Sequence, residues 1–200
     1  MKKILLPVLL AALPLFAAAQ GITASPLEGR WTWNGKGDDD LFTEMIFFGN
    51  VLLGKYDNNL SYQGHNFTYT ERTITFDDGD GVWQYRVSGN TLTITDGDGG
   101  RFTYVKATIT KSPLEGIWKL TGGWSYDADV NRFYLFIGDI YAVGEESYYD
   151  GRKIILSGNR FYLAHDGYGY DKEEFAEYTV SENTLTIKID DEELTFMKMY

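Results

Sequence analysis

The chain repeats itself, and that constrains its fold more than any other feature. Ser25-Pro26-Leu27-Glu28-Gly29-Arg30-Trp31 returns 87 residues later as Ser112-Pro113-Leu114-Glu115-Gly116-Ile117-Trp118. Phe47-Phe48-Gly49-Asn50-Val51 returns as Phe136-Ile137-Gly138-Asp139-Ile140, at an offset of 89. Tyr85 to Ile94, reading Tyr-Arg-Val-Ser-Gly-Asn-Thr-Leu-Thr-Ile, returns as Tyr178 to Ile187 at an offset of 93. Phe102 to Lys106 matches Leu194 to Lys198 at an offset of 92. Four blocks in one order, with drifting offsets, mark a duplication with loop insertions. Chance likeness among Thr-rich strands does not produce the seven-residue opening twice. The boundary falls at Thr108 to Lys111, too short for a long linker, so the two units are expected to touch.

Within each unit the hydrophobic period is two. In Thr91-Leu92-Thr93-Ile94-Thr95 the apolar residues alternate with hydroxyls, which is the pattern of a strand with one buried face. Phe102 and Tyr104, Trp83, Tyr85 and Val87, and Ile74 and Phe76 alternate in the same way. The second unit repeats the inward rows in Tyr178 and Val180, then Leu185, Ile187 and Ile189, then Leu194 and Phe196. Gly- and Asp-rich breaks supply the positive-φ residues of hairpin turns, and the parity slip at Glu71 and Arg72 predicts a turn or bulge. Past the N-terminal segment, Lys172 to Tyr178 carries the only brief helical tendency. Short strands at this spacing predict antiparallel barrels or sandwiches.

The Gly-x-Trp of Gly29-Arg30-Trp31 and Gly116-Ile117-Trp118, each opening an antiparallel meander, resembles the lipocalin and calycin class of barrels. The Tyr-x-Val-Ser-x-Asn-Thr-Leu-Thr-Ile block is similar to the short lipocalin-like domains of exported bacterial proteins. The expected fold is therefore all-β: two tandem homologous antiparallel β-barrels, lipocalin-like meanders over residues 25–108 and 112–200, following a signal peptide at 1–19. The resemblance implies that Trp31 and Trp118 pack across the closed end of their barrels. One departure stands against it, since about 87 residues per unit is short for eight lipocalin strands, and a small barrel fills its interior with its own side chains.

Residues 1–20 read as a secretory signal. Lys2 and Lys3 precede the short apolar run Ile4 to Phe16, and Ala17-Ala18-Ala19 supplies small residues for cleavage before Gln20. Ile4 to Ala19 is shorter than the ~20 apolar residues of a membrane span. With no cysteine, a lipid-anchored cysteine, a disulfide framework, a thiolate metal site and a cysteine nucleophile are all excluded. The expected location is periplasmic or secreted. Losing both lysines takes the net charge from −11 to −13, which argues against nucleic acid or anionic lipid as a partner.

No motif carries catalysis. Asp77-Asp78-Gly79-Asp80-Gly81 and Asp96-Gly97-Asp98-Gly99-Gly100 lack the distal Glu and flanking helices of a calcium loop, and read as hairpin turns. His65 and His165 fall at unmatched places in the repeat, and no spacing pairs them as metal ligands. No metal or cofactor is expected. The expected function is an exported, non-enzymatic binding protein for a small apolar or amphipathic ligand or an envelope component. The alternatives are a structural or protein-interaction module with filled barrels, and a glycan hydrolase, which would show a cleft with two facing carboxylates. Tyr141, Tyr149, Tyr168 and Tyr170 are the expected ligand-binding residues, as aromatic additions of the second unit with no clear counterpart in the first. The ligand itself is expected inside one barrel or in the seam between them, with the second unit the favoured place.

Overall fold

A computed structural model describes residues 25–35, 42–56, 61–77, 79, 81–123, 132–145, 148–165 and 169–199, without the side chains of 164–174. Among these residues every regular element is a strand. The first half contributes β1 (Gly29–Trp33), β2 (Phe42–Phe48), β3 (Val51–Tyr56), β4 (Ser61–Tyr69), β5 (Thr73–Phe76), β6 (Val82–Ser88), β7 (Thr91–Thr95) and β8 (Arg101–Ala107). Each pairs antiparallel with the next, and β8 returns to β1, which closes an eight-stranded barrel. Eight strands fit into so few residues because they run only four to nine residues each.

The second half contributes β9 (Gly116–Gly122), β10 (Arg132–Ile137), β11 (Ile140–Glu145), β12 (Tyr148–Ser157), β13 (Arg160–His165), β14 (Gly169–Ser181), β15 (Thr184–Ile189) and β16 (Glu192–Lys198). These too pair antiparallel in chain order, with β16 returning to β9. The helical tendency over 172–178 gives way to β14, where Tyr178 and Ala176 supply buried side chains to a closed apolar interior. Tertiary burial overrides local propensity there.

Three apolar layers hold the molecule. The barrel interior is filled by Leu27, Trp31, Met45, Phe47, Leu52, Phe67, Ile74 and their neighbours. Leu114, Trp118, Phe136, Phe161, Leu185 and Phe196 fill the second ring likewise. In each half the opening turn is tied to the core by the same bonds. Ser25 Oγ accepts from the Leu27 N–H, and the Leu27 carbonyl accepts from Trp31 Nε1 at 2.6 Å. Ser112, Leu114 and Trp118 repeat this, with an indole bond of 2.7 Å. Lys106 and Lys198 each place Nζ 5.2 Å from the ring centroid of Trp31 and Trp118. The recurrent Asn or Asp of the tight turns has a backbone task. The carbonyls of Asn50, Asn90, Asp139, Asn159 and Asn183 accept from Phe67, Lys106, Ile154, Tyr178 and Lys198, each on the second strand after its turn.

The third layer joins the halves. Ile46, Phe48, Val51, Leu53 and Tyr62 pack with Ile117, Leu135, Ile137, Ile140, Ala142 and Tyr149. Hence β2 and β3 are buried on both faces, and Met45-Ile46-Phe47-Phe48 is a continuous apolar run rather than an alternating one. Along the edge of this layer β4 pairs directly with β12. Tyr62 stands opposite Gly151 and Tyr149 opposite Gly64. The registers β3–β4 and β11–β12 make Tyr62-Gln63-Gly64 equivalent to Tyr149-Asp150-Gly151. The joint therefore has local two-fold symmetry about the Gln63–Asp150 pair. Tyr149 has a counterpart after all: it is Tyr62.

Candidate functional site

One end of the barrel retains a hollow. The starts of β2, β4 and β6 and the ends of β3 and β5 meet there, because the meander brings alternate strand ends to the same rim. Phe42, Leu52, Tyr56, Gln63, His65, Phe76 and Trp83 line a cavity of about 200 Å³. Leu52 and Phe76 form its floor and belong to the filled interior. The rings hold one another in place. Phe42 lies 4.7 Å from Tyr56 and 6.3 Å from Trp83, and Phe76 meets Trp83 edge-on at 4.7 Å, centroid to centroid. Gln63 and His65 alternate with the outward Tyr62 and Gly64 along β4, so strand parity aims both polar groups at the hollow. His65 meets Phe76 edge-on at 6.4 Å, and on its other side Tyr148 of β12 at 5.6 Å. The second half thus touches the rim of the first half's hollow.

A wider, open cleft of about 500 Å³ lies in the seam, lined by Glu28, Phe48, Lys111, Ser112, Pro113, Glu115 and Lys198. It places the equivalent glutamates of the two opening turns in one groove. Burial pushes the Glu28 carboxyl above its ordinary range; the Gly49 N–H that it accepts lowers it, and the nearby Glu115 raises it further. Beside the cleft an ion network crosses the joint. Arg30 donates to Glu44 at 2.8 Å and to Asp139 at 2.9 Å, and the Tyr62 hydroxyl donates to Glu44 at 2.5 Å. Burial, then the Glu44 carboxylate, holds the Tyr62 phenol far above its ordinary range.

Of the tyrosines expected from the sequence, the two with described side chains, Tyr141 and Tyr149, face opposite sides of the sheet. Tyr141 faces the second ring's interior, against Phe136 at 5.1 Å and Tyr134 at 5.9 Å. Burial drives its phenol well above the ordinary range. Tyr149 faces the opposite side of the sheet, in the joint layer. Tyr168 lies outside the described residues; Tyr170 pairs with Ala164 on β13, and its side chain is outside the description. Trp31 and Trp118 are fully buried. Sequence reasoning missed Phe42, Tyr56, Gln63 and Trp83, and weighed His65 only as a metal ligand. The available signal was the alternation of Gln63, His65 and Phe67 on one face of β4.

Among the described residues no group of three or more His, Asp or Glu side chains is placed to hold a metal. In the Asp96–Gly100 turn, Asp96 Oδ1 accepts from the Asp98 and Gly100 N–H groups at 3.1 and 2.7 Å, so that oxygen is committed to the turn. No described helix is long and apolar enough to cross a membrane. Compared with known proteins, the chain matches no protein-family model and no curated sequence.

Proposed function

We propose that the protein is an exported, non-enzymatic binding protein built from two homologous lipocalin-like barrels, and that a small apolar or amphipathic ligand seats in the mouth of the first. The repeat blocks support the duplication, and so do the matched registers and matched Trp, Lys and Ser contacts of the halves. The signal-like residues 1–19 support export. The observation that carries the ligand reading is the aromatic hollow. It is concave and walled by Phe42, Leu52, Tyr56, Phe76 and Trp83. It carries the polar Gln63 and His65 on one strand, a mix of ring surface and a few polar groups that suits a small-molecule site. An apolar cavity of roughly 150 Å³ accommodates benzene, so about 200 Å³ suits a compact group of that order rather than a long acyl chain.

The test is displacement of a small environment-sensitive fluorophore, with Trp83→Ala beside the intact chain. Saturable binding that Trp83→Ala removes, with circular dichroism unchanged, supports the reading. Absence of binding by any apolar probe refutes it, and the filled interiors then favour a protein-interaction module. Export is tested separately: the secreted product should begin at Gln20.

A further inference from the structure

The two halves share a scaffold but fill the same interior space differently. The repeat makes Phe47 equivalent to Phe136, and their partners on the next strand are Leu52 and Tyr141. Across the following ladder Leu52 stands opposite His65, and Tyr141 opposite Arg152. Gln63 matches Asp150, the two meeting at the centre of the β4–β12 joint. In the wall Trp83 matches Ala176, since each stands two residues before the repeated Tyr85 or Tyr178. The first half therefore sets a small floor residue beneath a large wall residue, and the second half does the reverse. The Tyr141 ring rises from its floor into the interior, with centroids 5.1 Å from Phe136, 5.9 Å from Tyr134 and 6.2 Å from Phe161. The charges of Arg152 and Asp150 act on its hydroxyl, and these residues hold the positions of His65 and Gln63. The second half thus keeps a phenol of its own over the floor that the first half leaves open.

We propose that the hollow of the first half takes a free single-ring phenol, seated over Leu52 as Tyr141 is seated in the second half, a proposal that rests on the binding reading above. Phe42, Phe76 and Trp83 offer faces and edges to the ring, as Phe136 and Phe161 do to Tyr141. A hollow of about 200 Å³ suits one ring with a small substituent. The hydroxyl meets Gln63, whose carboxamide both donates and accepts. His65 already packs against Phe76 and Tyr148, so the polar contact falls to Gln63. A carboxylate or phosphate on the ring would be desolvated without a counter-charge, because among the described residues the lining holds no Lys or Arg. A phenol is neutral at pH 7 and carries no such cost. The divergence of Leu52 from Tyr141 is then what separates a binding half from a self-filled one.

The experiment titrates the intact chain by calorimetry with 4-methylphenol, the tyrosine side chain as a free molecule, and with toluene, the same ring without the hydroxyl. 4-Methylphenol should bind roughly fivefold tighter than toluene, the worth of one net hydrogen bond. Leu52→Tyr copies the second half and should abolish binding of both probes, with circular dichroism unchanged. Gln63→Leu, at an exposed strand position, should bring 4-methylphenol down to the level of toluene, and it keeps the test decisive should Leu52→Tyr not fold. Equal binding of the two probes by the intact chain, or binding that survives Leu52→Tyr, overturns the phenol proposal and leaves the binding site standing. The same holds if other apolar probes bind and these two do not. If no probe of any kind binds, the binding reading fails and the phenol proposal with it.

Discussion

Replacing Gly64 by alanine tests the joint between the halves. Gly64 sits on β4 opposite Tyr149 of β12, with no positive φ, so an added methyl acts through packing alone. Its Cβ would stand 2.4 Å from Leu53 Cδ2, 2.9 Å from the Leu52 carbonyl oxygen and 3.0 Å from Tyr149 Cβ. Leu53 and Tyr149 are themselves buried in the joint layer, and the carbonyl is backbone, so no neighbour can simply swing aside. At the equivalent Gly151 the Cβ would meet Ala142 Cβ at 3.0 Å and the Tyr141 oxygen and Tyr62 Cβ at 3.2 Å, which a shift of a few tenths of an ångström relieves. Overpacking a filled core costs ~1–3 kcal/mol. Gly64→Ala belongs at the upper end, ~2–3 kcal/mol, and Gly151→Ala at or below ~1 kcal/mol. In a domain of this size each kcal/mol moves the melting midpoint by ~2–4 °C, so the two variants should separate clearly in calorimetry. Gly89→Ala is the contrast: nothing lies within 4 Å, and its cost comes from φ of +59°. If Gly64→Ala melts at or above Gly151→Ala, the packing of the joint described here is wrong.

The other expectations concern the core, the ion network and pH. Trp118→Ala removes a fully buried indole and the bond to the Leu114 carbonyl, and should cost ~3–5 kcal/mol in urea unfolding. Arg30→Ile alone strands the part-buried Glu44 and should destabilise by ~2–4 kcal/mol; Arg30→Ile with Glu44→Phe, which copies Ile117 and Phe133, should recover most of that loss. A double variant no more stable than the single one would show that the two arms of the joint are not interchangeable. Because the folded state holds the Glu28 proton above the ordinary value of 4.5, this group's stabilisation is present below that pH and is lost as pH rises through the folded-state value. Urea midpoints measured from pH 4 to 7 should therefore decline less in Glu28→Gln than in the intact chain.

The strands and the interior were legible because a half-buried strand writes its period into the sequence. Leu92 and Ile94, or Leu185 and Ile187, alternate with Thr, and all four are buried. The joint was less legible for the converse reason. Ile46, Phe48, Val51 and Leu53 interleave with Met45, Phe47 and Leu52, and two buried faces give a run without period. The Tyr-x-Gly pairs at 62–64 and 149–151 are a fifth repeat block, too short to stand out until the register aligns them. The aromatic hollow was illegible in another way. Phe42, Tyr56 and Trp83 come from three strands and read singly as core; only closure of the barrel shows that they meet around unfilled space.

The local two-fold at β4–β12 poses a problem that the duplicated sequence resolves by diverging. Two identical apolar faces would pair as readily with another copy of the chain as with each other, since a two-fold interface is self-complementary. The arms of this joint are not identical. In one, Arg30 reaches Glu44 of its own half and Asp139 of the other, with the Tyr62 hydroxyl completing the network. The registers place Ile117, Phe133 and Tyr149 at the matching positions of the other arm, and all three lie in apolar contact. A half carrying Arg30 and Glu44 that met its own kind would bring Arg30 to Asn50 instead of Asp139, losing the bridge while still desolvating the guanidinium. A half carrying Ile117 and Phe133 would leave Asp139 facing an isoleucine. Each mismatch loses the charge pairing that the intramolecular joint alone provides. The network is thus a weak source of stability, because desolvating Arg30 offsets much of what its bonds return. Its effect is on partner choice: it makes the two halves of one chain each other's preferred partner, and fixes β4 against β12 in the register that places Tyr148 beside His65 at the mouth of the barrel.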